Sequence, residues 1–217
     1  MKTGWQYISN QHKTVYYNAQ GQMQYGQQNV NGHWYLFDSK TGAMKTGWQY
    51  ISNQHKTVYY NAQGQMQYGQ QNVNGHWYLF DSKTGAMKTG WQYISNQHKT
   101  VYYNTQGQMQ YGQQNVNGHW YLFDSKTGAM KTGWQYISDQ HKTVYYNGQG
   151  QMQYGQQNVN GHWYLFDSKT GAMKTGWQYI SNQHKTVYYN SQGQMVYGKQ
   201  VIAGKTYYFD TKTGRKL

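Results

Sequence analysis

The nine tryptophans of this chain recur at a fixed spacing, and their side chains are the ones best suited to binding chemistry. One series follows a Thr-Gly pair: Trp5, Trp48, Trp91, Trp134 and Trp177. A second series follows a His: Trp34, Trp77, Trp120 and Trp163. An indole face attracts a cation through its ring quadrupole and also stacks on flat apolar surfaces. The spacing therefore predicts a binding function that is repeated along the chain.

The carboxylates are too few and too scattered for acid–base hydrolysis. The chain has no Glu, and its six acidic residues are Asp38, Asp81, Asp124, Asp139, Asp167 and Asp210. A glycosidase needs two carboxylates about 5 to 10 Å apart in different environments. A single Asp at the start of the run 38–42, which ends in Gly, is instead typical of a turn. No enzymatic activity is predicted.

The nine histidines form two series, which begin at His12 and His33. The chain has no Cys, and neither series lies beside paired carboxylates, so surface turn residues or hydrogen-bond donors are favoured over zinc ligands. The sequence predicts no metal site and no cofactor.

A period of 43 residues organises the whole chain, and residues 1–43 recur unchanged as residues 44–86. Five repeats are predicted to form one domain over residues 1–217: 1–43, 44–86, 87–129, 130–172 and 173–215. The chain begins inside the pattern, because residues 1–4 match residues 44–47. We therefore expect a fragment of a longer protein or an engineered repeat.

The composition is polar and basic but rich in aromatic residues. The formal charge is +13, and 18% of the residues are aromatic, which favours a fold packed from Tyr, Trp and Phe over disorder. The charge indicates either a solvated basic face or a preference for anionic surfaces such as phosphate-bearing polymers. Binding to single-stranded nucleic acid is disfavoured, because the lysines are spread over turns. No membrane span and no signal peptide are predicted, and the oligomeric state is left open.

Each repeat contains two pairs of short strand-like runs. In the first half, runs 5–8 and 14–17 flank a turn at 9–13; in the second, runs 27–30 and 33–37 flank Asn31-Gly32, a strong hairpin signal. Alternation places Trp34 and Leu36 on one strand face and Tyr35 and Phe37 on the other. The predicted fold class is all-β, a solenoid of about ten hairpins.

The last repeat departs from the pattern. Its differences from the first repeat include Val196, Lys199, Val201, Ile202, Ala203, Lys205 and Thr206. A terminal repeat has only one neighbour, which favours a structural cap. The competing interpretation is a lost ligand site, because Thr206 replaces the Trp of the second series.

The runs Thr-Gly-Trp, Trp-Tyr-Leu-Phe-Asp and Thr-Gly-Ala-Met-Lys-Thr-Gly-Trp resemble the cell-wall-binding repeats of Gram-positive surface proteins and phage lysins. That family includes choline-binding modules and, as near relatives, the glucan-binding repeats of glucansucrases. The resemblance covers the whole chain. It implies a superhelical array of hairpins that attaches an extracellular protein to a bacterial surface polymer.

Choline-binding members hold the quaternary ammonium in an aromatic cage made of an opening Trp, a returning Trp and a Tyr from the next hairpin, often beside a Met. This chain splits the set, with Thr14 at the returning position of the first half and Gln27 at the opening position of the second. The resemblance thus implies a partial cage of Trp34, Tyr59, Met44 and Gln27. The same set recurs at Trp77, Tyr102, Met87 and Gln70; at Trp120, Tyr145, Met130 and Gln113; and at Trp163, Tyr188, Met173 and Gln156.

An aromatic plane beside amide donors also suits a sugar. Glucan-binding relatives place Gln and Lys beside a stacking Tyr, a spacing that Gln200, Lys205 and Tyr207 match. The predicted function is a multivalent, non-catalytic module for a bacterial surface polymer or glycan, with the opening Trp series among the ligand-binding residues. Two alternatives stay open: choline on teichoic acid, and an engineered or structural scaffold without a ligand.

Overall fold

The computed structural model describes residues 1–217 and consists of ten antiparallel β-hairpins, two in each repeat. The first hairpins are β1 (Gly4–Ile8) with β2 (Lys13–Tyr17), β5 (Gly47–Ile51) with β6 (Lys56–Tyr60), β9 (Gly90–Ile94) with β10 (Lys99–Tyr103), β13 (Gly133–Ile137) with β14 (Lys142–Tyr146), and β17 (Gly176–Ile180) with β18 (Lys185–Tyr189). The second hairpins are β3 (Gly26–Val30) with β4 (His33–Phe37), β7 (Gly69–Val73) with β8 (His76–Phe80), β11 (Gly112–Val116) with β12 (His119–Phe123), β15 (Gly155–Val159) with β16 (His162–Phe166), and β19 (Gly198–Ile202) with β20 (Lys205–Phe209). The predicted all-β fold class is confirmed.

The two hairpins of a repeat turn in different ways. Asn31 and Gly32 both have positive φ, 51° and 84°, as a two-residue type I′ turn requires, so this predicted hairpin is confirmed. The longer turn of the first hairpin contains a single turn of 3₁₀-helix that the sequence did not predict. These helices are Ser9–Gln11, Ser52–Gln54, Ser95–Gln97, Ser138–Gln140 and Ser181–Gln183. His12 closes the first of them in the left-handed conformation.

The chain divides into two compact parts, residues 1–110 and 111–217. The predicted single domain over residues 1–217 stays a prediction. Both parts contain the same two kinds of hairpin, and no helix in either is long and apolar enough to cross a membrane.

Small apolar clusters form the core, and each draws on two successive hairpins. In the first part, Leu36 of one hairpin packs against a cluster in the next: Ile51, Val58, Tyr60 and Met66. A cluster of the other kind contains Val30, Tyr35 and Phe37, with Tyr16 and Met44 packed against it. The second part repeats both kinds. An isolated hairpin is only marginally stable in water, so this sharing stabilises the array.

The predicted alternation along β4 agrees with the burial of its side chains. Phe37 is 1% exposed and Tyr35 is 8% exposed, whereas Trp34 on the opposite face is 39% exposed. Tyr35 and Phe37 therefore build core on one face of the strand, while Trp34 on the other face reaches the surface.

Asp38 forms the turn that follows β4, as predicted. Its Oδ1 atom accepts hydrogen bonds from the backbone N–H groups of Lys40 and Thr41, each at 3.0 Å, and from the Thr41 hydroxyl at 3.1 Å. Its Oδ2 atom lies 3.1 Å from the Lys45 ammonium. The turn hydrogen bonds, led by that from Thr41, hold the pKa of the Asp38 carboxyl well below its usual range.

Candidate functional sites

A cluster of four rings lies where the first hairpin of a repeat meets the second. Trp5 is paired with Tyr16 across the hairpin, with ring centroids 5.0 Å apart. The second hairpin adds Tyr35 and Phe37, whose ring centroids lie 4.7 and 5.7 Å from that of Trp5. We call this set an aromatic cluster. Phe37 is buried, whereas Trp5 is 39% exposed, so solvent reaches the Trp side of the cluster.

The aromatic cluster recurs within both compact parts. The first part holds a copy formed by Trp48, Tyr59, Tyr78 and Phe80. The second part holds two copies: Trp134, Tyr145, Tyr164 and Phe166, and Trp177, Tyr188, Tyr207 and Phe209. The Trp–Tyr spacing between hairpins stays between 4.7 and 4.9 Å in these copies.

In the last aromatic cluster a lysine ammonium lies against the rings. The Lys216 Nζ atom is 5.3 Å from the Trp177 ring centroid and 5.2 Å from that of Tyr207. Both distances are within the range of a cation–π contact. Met44, Met87, Met130 and Met173 follow the first four repeats as Lys216 follows the fifth. The cluster geometry is therefore compatible with a bound cation.

A pocket of a different kind lies where the second hairpin of one repeat meets the first hairpin of the next. In the first part it has a volume of about 670 Å³, and we call it the Trp34 pocket. Its lining includes Gln27, Trp34, Lys45, Tyr50 and Gln54. Equivalent pockets of about 840 and 490 Å³ surround Trp120 and Trp163 in the second part. These volumes suit a small ligand.

A chain of hydrogen bonds fixes the amide of Gln27 beside the Trp34 pocket. Gln54 Nε2 donates to Gln27 Oε1 at 2.9 Å, and Gln27 Nε2 donates to the Tyr60 hydroxyl, also at 2.9 Å. Burial raises the pKa of the Tyr60 hydroxyl, which therefore remains a neutral partner at physiological pH. The same chain of bonds recurs at Gln70, Gln113 and Gln156.

The structure brings together two members of the predicted partial cage and separates the other two from them. Trp34 and Gln27 line one pocket. Tyr59 lies instead against Trp48, because the register of β5 and β6 pairs them directly. Met44 packs against the core cluster of Val30 and Phe37, since it bridges to Phe37 at the end of β4.

The grouping of Trp34 with Tyr59 and Met44 is therefore corrected. The copies within each part follow the same division. Trp120 with Gln113 and Trp163 with Gln156 line pockets like that of Trp34 with Gln27. Gln70 donates to Tyr103 as Gln27 donates to Tyr60, and the Trp77 carbonyl accepts from the Met109 N–H as the Trp34 carbonyl accepts from Met66. Tyr145 and Tyr188, in contrast, belong to aromatic clusters, Tyr102 lies 5.0 Å from Trp91, and Met87 and Met173 pack like Met44. Met130 likewise approaches Gly150, as Met44 approaches Gly64. Ligand binding by these residues stays a prediction.

Thr14 occupies the position in the first hairpin that Trp34 occupies in the second, as predicted: Thr14 faces Tyr7, and Trp34 faces Asn29. Tyr16, which faces Trp5, was not identified from the sequence. Tyr35, Tyr50 and Gln54 were missed as well. Once the turn is known to lie between Ile8 and Lys13, counting three residues outward on each side pairs Trp5 with Tyr16. No local signal, however, assigns residues of neighbouring hairpins to one pocket.

A family model described as a choline-binding repeat matches residues 2–46, 45–89, 88–132, 131–175 and 174–217. The chain belongs to the choline-binding repeat family. The resemblance predicted from the Trp and Gly runs is confirmed, and with it the assignment to a family of binding modules. A comparison with curated protein sequences found no match.

Solved structures of similar choline-binding proteins come from Streptococcus pneumoniae. CbpJ is 26% identical over 99% of this chain and 87% of its own, with a TM-score of 0.74. Choline binding protein F is 25% identical over 99% of this chain and 86% of its own, with a TM-score of 0.69. A further structure of CbpF gives a TM-score of 0.76 at 25% identity, over 100% of this chain and 86% of its own. Each of these three alignments covers almost the whole of this chain.

Proposed function

We propose that this chain is a non-catalytic, multivalent module that attaches, outside the cell, to a bacterial surface polymer carrying choline. The observation that carries the proposal is the Lys216 ammonium, which lies against Trp177 and Tyr207 in an aromatic cluster that the chain repeats. At the corresponding position after each earlier repeat, a Met stands in place of this lysine.

The physical basis is the negative face of an aromatic ring. Each ring stabilises a nearby cation by about 0.5 to 2 kcal/mol, and more when water is excluded. The methyl groups of a quaternary ammonium also bury apolar area against the rings, which a primary ammonium cannot do as well. A cluster with a half-exposed Trp above buried Tyr and Phe rings offers both contributions.

Support for choline comes from the similar choline binding protein F. Choline binding protein F was solved in the presence of a peptidoglycan analogue, a tetrasaccharide-pentapeptide, and CbpF was also solved in complex with ipratropium. Both structures of this protein align with almost the full length of this chain.

Repetition compensates for weak individual sites. A polymer that carries a choline group at regular intervals can occupy several aromatic clusters of one chain, and the later contacts are then intramolecular. The charge of +13 adds attraction when the polymer also carries phosphate groups.

The proposal is tested by calorimetric titration of choline into three proteins. The first is the unaltered chain, the second carries Leu at the five opening positions (Trp5, Trp48, Trp91, Trp134 and Trp177), and the third carries Leu at Trp34, Trp77, Trp120 and Trp163. We expect saturable choline binding in the first and third proteins and its loss in the second. Far-UV circular dichroism establishes that each variant is folded.

If the second protein fails to fold, Phe at the same five positions replaces Leu and keeps a weaker ring at each site. Choline binding that is unchanged in a folded opening-position variant would contradict the proposal. No binding to choline or to isolated cell walls by any of the proteins would favour a scaffold without a ligand.

A further inference from the structure

We propose that the turns of four second hairpins are modification sites at which asparagine converts to isoaspartate, and that Asn29 and its copies keep these sites closed in the folded protein. We call them the Asn-Gly turns: Asn31-Gly32, Asn74-Gly75, Asn117-Gly118 and Asn160-Gly161. They lie outside the aromatic clusters, so the inference is independent of choline binding.

The reaction joins two neighbouring groups of the chain. The backbone nitrogen of Gly32, once it has lost its proton to water, bonds to the Cγ atom of Asn31, and the side-chain amide leaves as ammonia. Water then opens the resulting cyclic imide at either carbonyl, which gives aspartate or isoaspartate. The net reaction exchanges ammonia for water and needs no oxidant or reductant. A following glycine hinders the ring closure least, because it has no side chain.

The Asn-Gly turns are open to solvent. Asn31 and Gly32 are both exposed, and no hydrogen bond holds the Asn31 side chain. A Cβ atom at Gly32 would meet nothing within 4 Å. Neither burial nor crowding therefore keeps water from the two reacting groups.

The side chain of Asn29 holds the reacting nitrogen. Its Oδ1 atom accepts a hydrogen bond from the Gly32 N–H at 3.1 Å. The same bond, also 3.1 Å long, joins Gly75 to Asn72, Gly118 to Asn115 and Gly161 to Asn158. The nitrogen must give up this bond before it can lose its proton and turn toward the Asn31 side chain. The bond therefore slows ring closure.

The one other Asn-Gly pair of the chain is closed from the opposite side. At Asn147-Gly148 no hydrogen bond holds the Gly148 N–H. The Asn147 Oδ1 atom, however, accepts hydrogen bonds from the backbone N–H groups of Gln149 at 3.0 Å and Gln151 at 2.9 Å. The side-chain amide, which is the group under attack, is thus fixed in its turn. Each of the five Asn-Gly pairs therefore has one of its two reacting groups engaged.

The last repeat forms the same turn without either asparagine. Val201 and Ala203 stand in place of Asn29 and Asn31, and Ala203 and Gly204 keep positive φ, 49° and 76°. The register of β19 and β20 also matches that of the other second hairpins. The hydrogen bond made by Asn29 is therefore not required for the turn, and it is missing where the reactive asparagine is missing too.

Isoaspartate would change the hairpin as well as its charge. The residue carries its main chain through the former side chain, which lengthens the backbone of the turn. A two-residue turn fixes the register of the strands that it joins, so the longer turn no longer fits. Reaction at Asn31 would thus displace Trp34 from its place opposite Asn29.

The test follows the third repeat, because its peptides can be told apart. Trypsin releases residues 100–126 as one peptide, which Thr105 distinguishes from the copies in the other repeats. The full chain is incubated in mildly alkaline buffer, either folded or denatured in urea, and isoaspartate at Asn117 is measured by chromatography and mass spectrometry. We expect Asn117 to react more slowly in the folded protein than in urea. Equal rates would overturn the proposal.

The Asn115→Val variant removes the hydrogen bond to Gly118 and gives the third repeat the residue of the last one. We expect Asn117 to react about fivefold faster in the folded variant, which corresponds to the loss of a hydrogen bond of about 1 kcal/mol. Asn160, in the same molecule, keeps its own hydrogen-bonded glycine and should react at an unchanged rate. Acceleration of both sites would show general destabilisation and overturn the proposal.

Two further measurements separate a released nitrogen from a loosened hairpin. Asn115→Asp supplies a carboxylate oxygen as the acceptor and is expected to restore the slow reaction at Asn117. Amide hydrogen exchange of β12 should be the same in the Val variant as in the unaltered chain. If the Val variant does not fold, Asn115→Ala takes its place. An unchanged rate at Asn117 in the folded variant, or an equal acceleration of amide exchange in β12, overturns the proposal.

Discussion

The ammonium nitrogen of Lys216 lies 5.3 Å from the centroid of the Trp177 ring. One to four periods of 43 residues earlier, the corresponding residue is Met173, Met130, Met87 or Met44. The last cluster thus contains a cation supplied by the protein itself. A ligand cation that uses the same ring faces must displace Lys216 from this cluster.

The Lys216→Met substitution is expected to open the last aromatic cluster to choline. It places after the fifth repeat the residue that follows each of the other repeats, and it removes a competing charge 5.2 Å from the Tyr207 ring. We expect calorimetry to report about one additional choline per chain, because the ring faces that Lys216 occupied become free for the ligand. The Lys40→Met variant loses the same charge in an exposed turn and should leave the stoichiometry unchanged. Equal stoichiometry in all three proteins would show that Lys216 does not occupy a choline site.

Gly64 is expected to be far less tolerant of Ala than Gly75 is. Both have positive φ, 77° and 85°, so both substitutions place an L residue in the left-handed region, at a cost of about 1 to 2 kcal/mol. A Cβ atom at Gly64 also reaches 2.9 Å from Met44 Cγ, whereas one at Gly75 meets nothing within 4 Å. We expect urea denaturation to show a further loss of at least about 1 kcal/mol in Gly64→Ala, from overpacking. Equal losses in the two variants would mean that Met44 moves aside freely.

The Asp turns are expected to make stability depend on acid pH. The turn hydrogen bonds lower the pKa of Asp38, Asp81, Asp124 and Asp167 in the folded state below the unfolded value of about 3.9. The stabilisation is therefore present above about pH 3.9 and is lost as the pH falls toward the folded pKa. The free energy of unfolding from urea titrations should decrease from pH 5 toward pH 3.

A variant with Asn at these four positions tests that assignment. It should be less stable than the unaltered chain at pH 7 and should depend less steeply on pH below 5. Asp139→Asn is the matched control, because it restores the residue of the other repeats in a different turn. The assignment fails if the fourfold variant retains the full acid dependence of the unaltered chain.

The hairpins could be predicted from the sequence because their signals are local. Asn31-Gly32 specifies a type I′ turn, and alternation along 33–37 separates Trp34 from Tyr35 and Phe37. Which side chains come together in one site was harder to predict from the sequence. The 3₁₀ turn at Ser9–Gln11 sets the register that pairs Trp5 with Tyr16. This turn has only three residues, so it leaves no helical periodicity in the sequence from which it could be predicted.

The junctions between hairpins depend on contacts that no short segment encodes. Met66 N–H donates to the Trp34 carbonyl at 2.8 Å, and Met44 N–H donates to the Thr14 carbonyl at 2.8 Å. These bonds set how one hairpin packs on the preceding one, and so which side chains share a pocket. The sequence placed Gln27 beside Trp34, but it placed Met44 where the structure has Met66.

The most direct test of cation recognition compares choline with 3,3-dimethylbutan-1-ol, a neutral molecule of the same shape in which carbon replaces the quaternary nitrogen. Both are titrated into the unaltered chain by calorimetry under identical conditions. Since two ring contacts with a cation contribute about 1 kcal/mol or more, we expect the neutral molecule to bind at least about fivefold more weakly than choline. Equal affinity for the two molecules would contradict the account, because the aromatic clusters would then recognise shape and apolar surface but not charge.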